Sequence, residues 1–250
     1  LPNVQFLNEI FKKYINLILI SFFPALLVPI NYYFAGNFSS GSISIWSFSS
    51  KLIILFSSLT SVFATSIIMP YISRVISLKK FKSQDTQSHF IISVGIYIGG
   101  FLMFIGIIFI DPLINMTIKD NLLKNQLSDL YLLLKLGFLQ IPFVIICAIT
   151  NKILIASNET KKLLIITAFM FSVNIISILL LIEFLGILSI PVSSLISLTF
   201  STILYFILLQ KRSYMKIYQV LISFCSCLLW VILSFMFSIS DIGSIVLLII

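Results

Sequence analysis

The residue best placed to do chemistry is Lys51, a lone cation in a stretch otherwise uncharged from Tyr14 to Ser73. An ammonium at the centre of a membrane helix costs roughly 2.5–3.5 kcal/mol on insertion scales, so it normally faces a protein interior or an aqueous cavity. Its neighbours on the helix surface point the same way. At about 100° per residue, Ser47, Ser50, Lys51, Ser58, Ser61 and Thr65 share a stripe roughly 100° wide, and Phe48, Leu52, Leu55, Phe56, Leu59 and Phe63 lie opposite. That pattern describes a helix with one face to lipid and one to a polar cavity, where a cation beside hydroxyls can hold a phosphate-like anion. Lys51 lies about eight residues from the nearer end of its helix, roughly 12 Å deep. At that depth its stem does not easily carry the charge to the interface.

Other polar residues are weaker candidates. Asn31 stands beside Pro29 in an apolar helix and is a cavity-lining candidate. Asn174 is a polar side chain in mid-membrane that can hold helices together by hydrogen bonding. Lys135 lies near a helix end with Asp129 and reads as a snorkelling side chain. His89 has no carboxylate or cysteine at metal-ligand spacing and reads as interfacial, so no metal site and no cofactor are expected. Cys147, Cys225 and Cys227 sit in apolar segments as small packing residues. An embedded glycan polymerase or glycosyltransferase would need general bases or metal-binding carboxylates. No membrane segment pairs two carboxylates, and the connections on the side opposite the basic one hold no His or Arg. An ion channel would need a filter or a ring of charges, which one lysine does not make.

These residues must be positioned by membrane helices. The 250-residue chain is 60% hydrophobic and 10% charged, where a soluble domain carries about 25% charged residues. Twenty-four Phe with few Gly and Pro fit lipid-facing helices and not the short alternating strands of a membrane barrel. Apolar runs with few charges predict helices at 14–34, 43–72, 88–110, 130–156, 163–185, 190–209 and 217–238, with part of an eighth from 241. The fold expected is an all-α polytopic bundle. The chain reads as a fragment of a longer protein, because it opens on Leu1 and ends inside an apolar run.

The net charge of +8 does not signal nucleic acid, because the cations cluster in short connections between apolar runs. Connections and adjoining helix ends on one side, from Lys12 to Lys216, hold twelve Lys and Arg, Lys152 at a helix end among them; the other side holds Lys119 and Lys124, with Lys51 and Lys135 deeper in helices. The rule that cytoplasmic loops are basic puts the first side, with residue 1, in the cytoplasm. Pro24 and Pro29 fall inside the first helix, where each removes a backbone donor and favours a bend. Gly95 and Gly99 form a small-xxx-small pair that permits close helix contact.

Two stretches resemble a known family. Residues 22–34, FFPALLVPINYYF, lead through GNFSSGS into IWSFSSKLIILFSSLTSVFATSIIMPYISR at 45–74. The elements Pro24-Ala25, Gly41-Ser42, Lys51-Leu52, Ala64-Thr65, Pro70 and Ser73-Arg74 resemble the seventh and eighth helices of the lipid II flippase family (MurJ/MviN type) of the MOP exporter superfamily. Pro142, NKILIASNETKK at 151–162, Asn174 and Gly186 follow its later helices. Leu163 stands where the family commonly has proline, and Ser189 where a second glycine is expected. The sister polysaccharide repeat-unit flippases share the helix pattern.

The resemblance implies the C-terminal lobe of a fourteen-helix transporter, with residues 1–210 as a six-helix lobe and 211–250 as further peripheral membrane helices. It implies alternating-access translocation of undecaprenyl-diphosphate-linked peptidoglycan precursor to the outer leaflet of a bacterial cytoplasmic membrane. The sister family makes an O-antigen or exopolysaccharide repeat unit the alternative cargo, and a membrane-embedded glycan enzyme is the remoter one. Lys51 matches the family's basic residue lining the central cavity, usually Arg, with Ser47, Ser50, Ser58, Ser61 and Asn31 beside it as substrate-binding candidates. Implied partners are the lipid-linked oligosaccharide diphosphate, membrane lipids and a coupling ion. Some family members bind sodium on the helices carrying Asn174 and Ser194, but the carboxylate expected a turn after Asn174 is here Ile178.

Overall fold

A computed structural model describes residues 4–38, 40–63, 66, 70, 81–117 and 124–210. The described elements are all helical: α1 Val4–Gly36, α2 Ser42–Phe63, α3 Phe81–Thr117, α4 Lys124–Leu139, α5 Ile141–Ala156, α6 Thr160–Leu185 and α7 Ser189–Gln210, with a 3-10 turn at Gly186–Leu188. Among the described residues five stretches are long and apolar enough to cross a membrane: Lys13–Gly36, Ser42–Leu59, Ile92–Asn115, Gln126–Ala156 and Thr160–Leu208. The expected segments at 217–238 and beyond 241, with Cys225 and Cys227, lie outside the described residues.

Hydropathy marks the bilayer portion of a helix, and the helix itself runs on. α1 begins at Val4 and α3 at Phe81, because Asn, Glu, Lys and Gln tolerate helix well enough outside the apolar layer. The expected single helix at 130–156 is instead divided. Pro142 lacks an N–H, so the carbonyl four residues earlier cannot be paired in the usual way. The Gln140 N–H turns to the Gly137 carbonyl at 3.1 Å, and α5 restarts with the Val144 N–H on the Gln140 carbonyl at 3.0 Å. The Gln140 amide then donates to the Pro191 carbonyl at 2.9 Å, tying the break to α7.

The Thr160–Leu208 stretch has 49 residues, about 73 Å as one helix against a hydrocarbon core near 30 Å. Gly186 folds it into a hairpin. Its φ of 54° and ψ of −133° is a conformation essentially confined to glycine. Across the hairpin, Asn174 meets Ser194 and Ser197, which fixes α6 and α7 as antiparallel. α7 presents Ser189, Ser193, Ser197 and Ser201 at every fourth position, all buried. Small side chains on one stripe let helices approach closely in a membrane. α3 uses glycines to the same end: a Cβ on Gly99 would stand 2.8 Å from the Pro142 Cα.

The two ends of the bundle gather different connections. At one end Gln126 donates to the Ser40 carbonyl at 3.3 Å, and Phe38 reaches to within 3.9 Å of a Cβ placed on Gly186. At the other, Lys13 and Asn16 border the α5–α6 turn at 158–162. These are connections that the charge count assigns to opposite faces. Near the first end lies an apolar core including Trp46, Met103, Leu134, Phe138 and Ile190. A smaller cluster of Cys147, Leu154, Leu163, Ile166 and Tyr205 packs nearer the second. Phe56 and Phe138 meet edge-on at 5.0 Å, fastening α2 to α4.

Candidate functional site

Lys51 sits at the middle of the Ser42–Leu59 apolar span, and its side chain is exposed. Which way α2 faces follows from its apolar residues. Phe48, Leu52 and Phe56 pack against the core around Trp46 and Phe138, so the side expected to meet lipid meets protein instead. Leu55 and Leu59 depart from that grouping and are exposed, together with Ile54 and Val62. The open face of α2 thus carries Lys51 in a mixed apolar and hydroxyl surface.

A hydroxyl cluster flanks the ammonium. Tyr32, from the last turns of α1, donates its phenol to the Ser47 hydroxyl at 3.3 Å. Ser50 and Lys51 stand three and four residues further along α2 from Ser47. Ser50 in turn donates to the Ser47 carbonyl at 3.1 Å, and Ser58 to the Leu55 carbonyl at 2.7 Å. Their oxygens keep lone pairs, and a hydroxyl can rotate its proton toward an incoming acceptor. Asn31 is half-buried next to Tyr32, and its Oδ1 is buried with no hydrogen-bond partner among the described residues. The side chains of Ser61 and Thr65 lie outside the described part of the chain, as does that of His89.

Two turns beyond Lys51, about 10 Å along the helix, the same face borders a cavity of about 420 Å³. Ser57 and Ser58 of α2 line it with Ile20 and Pro24 of α1, Asn151 of α5 and Tyr205 of α7. Tyr205 donates to the Asn151 Oδ1 at 2.5 Å, which satisfies two polar groups at membrane depth. Cys147 lies 3.5 Å from the Ser201 hydroxyl and 3.7 Å from that of Thr202. The cavity is mostly apolar with a few hydroxyl and amide groups, the usual lining of a small-molecule site. Sequence reasoning reached Ser58 but missed Tyr32, Asn151 and Tyr205. Asn151 and Tyr205 are polar residues near helix ends whose convergence depends on how three helices cross.

Asn174 is buried and donates to Ser194 at 3.2 Å and Ser197 at 3.3 Å. Its Oδ1 is buried without a partner. As a sodium site this set lacks a charged ligand: Ile178, where a carboxylate is expected, is a fully buried hydrocarbon. Among the described residues no three His, Cys, Asp or Glu side chains gather as metal ligands. The hydrogen bonds of Asn174 to Ser194 and Ser197 join α6 to α7. Lys135 is half-buried on α4 and takes part in an interaction of its own. Lys51 is exposed at the middle of an apolar span. No family model matches the chain, and neither a curated protein nor a solved structure matches it.

Proposed function

We propose that this chain is the C-terminal lobe of a flippase that carries an undecaprenyl-diphosphate-linked glycan across a bacterial cytoplasmic membrane. The observation that carries the reading is Lys51: an exposed cation at the centre of an apolar span, flanked by Tyr32, Ser47 and Ser50. An ammonium facing hydrocarbon there would cost roughly 2.5–3.5 kcal/mol. Facing a water-filled cavity closed by a second lobe, it meets a diphosphate as a point charge. In this reading α1, α2, α3, α4–α5, α6 and α7 make six crossings of a repeated unit, and alternating access arises as the two units rock about the site. The cargo's headgroup occupies the cavity while its lipid tail stays in the bilayer. In this reading no residue is catalytic.

The cargo in this reading is lipid II. A polysaccharide repeat unit is the second reading, and one observation favours it. Leu163 and Ser189 stand where the lipid II family has proline and glycine, and both are fully buried in helix contacts, so they are built into the packing. Reconstitution of the full-length protein in proteoliposomes decides the matter. Fluorescent lipid II, or a lipid-linked repeat unit, is placed in the inner leaflet, and headgroup exposure is followed with an impermeant quencher. Lipid II exposure above the protein-free rate supports the first cargo, and repeat-unit exposure alone supports the second. If neither lipid moves faster than in protein-free vesicles, the transport reading fails.

A further inference from the structure

At the end of the bundle opposite Gly186, a second cavity of about 520 Å³ is bordered by Lys13 and Asn16 of α1 and by residues 158–162. We propose that this cavity holds the phosphate headgroup of an anionic phospholipid. The inference does not rest on transport, and concerns a different part of the molecule from Lys51.

The local fold builds the pocket. Asn158 adopts φ 62° and ends α5, with the Asn158 N–H on the Ile155 carbonyl and the Glu159 N–H on the Leu154 carbonyl. The chain then enters α6 at once. Thr160, Leu163, Ile166 and Thr167 are the buried positions of its first turns, so Lys161 and Lys162 face outward beside α1. Lys162 is held by Glu159 at 3.2 Å, which cancels one charge. The three lysines less that carboxylate leave a net charge of two, carried by the exposed Lys13 and Lys161. Lys13 opens one apolar span and Thr160 another. The pocket therefore stands where the hydrocarbon layer ends, at the depth of lipid phosphates.

The surface below the pocket suits acyl chains. Lys13 lies by residues 158–162 and the Phe23 and Phe171 rings meet tilted at 5.3 Å, so α1 and α6 leave the pocket side by side in the same direction. Both carry exposed apolar residues on the way, Ile15 and Ile18 on α1 and Ile165 and Phe169 on α6. A free phosphate would use the cations alone, whereas a phospholipid uses both features. The charge count places this end in the cytoplasm, where anionic headgroups concentrate and each nearby lysine adds attraction.

The test uses the full-length protein in a neutral detergent, with thermal stability titrated against short-chain phosphatidylglycerol, phosphatidylcholine and inorganic phosphate. Phosphatidylglycerol is expected to stabilise the wild type at concentrations where the other two do not. Lys13→Gln with Lys161→Gln leaves the Glu159–Lys162 pair intact and is expected to weaken that binding roughly 30-fold, two charges' worth at an anionic surface. Lys13→Arg with Lys161→Arg is expected to keep it. Equal stabilisation by phosphatidylcholine, or an unchanged titration in the double Gln variant, overturns the assignment. Stabilisation by inorganic phosphate as strong as by phosphatidylglycerol overturns the lipid and leaves an anion site only.

Discussion

Lys51→Met keeps the length of the side chain and removes its charge. Lys51 is exposed and has no ion pair among the described residues, so the folded lobe loses no partner. A change within about 0.5 kcal/mol is expected for such a surface position, and loss of an unpaired charge from the membrane can even stabilise. The cargo feels it differently. A hydrogen bond to a charged group contributes about 1.5–3 kcal/mol net, so losing the ammonium–phosphate contact should slow transport roughly 10- to 150-fold. Lys51→Ala should do the same, and Lys51→Arg should keep activity because the charge remains. Complementation of a flippase-depleted strain by the full-length gene reads the function, and melting of the purified variants in detergent reads the fold. Normal melting with failed complementation for Met and Ala is the expected pattern. If Lys51→Met complements as well as wild type, the cation does not handle the cargo and the mechanism is wrong.

Tyr32→Phe removes the phenol that donates to the Ser47 hydroxyl and should lower transport about 2- to 10-fold, the scale of one neutral hydrogen bond; initial rates in proteoliposomes measure it, and an unchanged rate detaches Tyr32 from the site. Gly99→Ala places a Cβ 2.8 Å from the Pro142 backbone and should destabilise by about 1–3 kcal/mol, whereas Gly36→Ala meets only the tip of Ile43 at 3.4 Å and should melt near wild type. Equal melting of the two would mean that α3 and α5 are not in close contact. Replacing sodium by potassium should leave transport and melting unchanged, because Asn174, Ser194 and Ile178 supply no charged ligand; a sodium-specific rise in melting that Asn174→Ala abolishes would restore the cation site.

What the sequence made legible was whatever depends on one helix. The exposed stripe of α2 follows from 100° steps, and Lys51 and Ser58 lie on it. The apolar spans follow from hydropathy, which is why 163–185 and 190–209 agree with α6 and α7 to within three residues. What depends on two helices was out of reach. Tyr32 and Ser47 are fifteen residues apart in sequence and meet only because α1 and α2 cross at that height. The break at Gln140 was signalled by Pro142, yet unbroken hydrophobicity from 130 to 156 hid it, since periodicity carries no information about a lost backbone donor. The buried ladder from Ser189 to Ser201 is visible at a spacing of four, but serine at that spacing suits either an aqueous face or a tight seam. Only the packing of α7 chooses the seam.

The chemistry around Lys51 is suited to letting go as much as to holding. Ser50 and Ser58 already donate to their own helix, and Tyr32 already donates to Ser47. Each must give up an internal bond to bind a phosphate oxygen, so its net gain is small. The ammonium is the one group that gains a full charge-assisted contact. A single point charge in a site of satisfied hydroxyls gives modest, adjustable affinity, whereas a fork of arginines would fix a diphosphate in two parallel bonds. Interactions equally strong in both access states do nothing to favour passage between them, because a ligand shifts an equilibrium only by its differential affinity. In the proposed transport Lys51, exposed on an open face and without an ion pair among the described residues, would follow the cargo as the cavity changes, and the neutral hydroxyls around it would re-form their internal bonds when the cargo leaves.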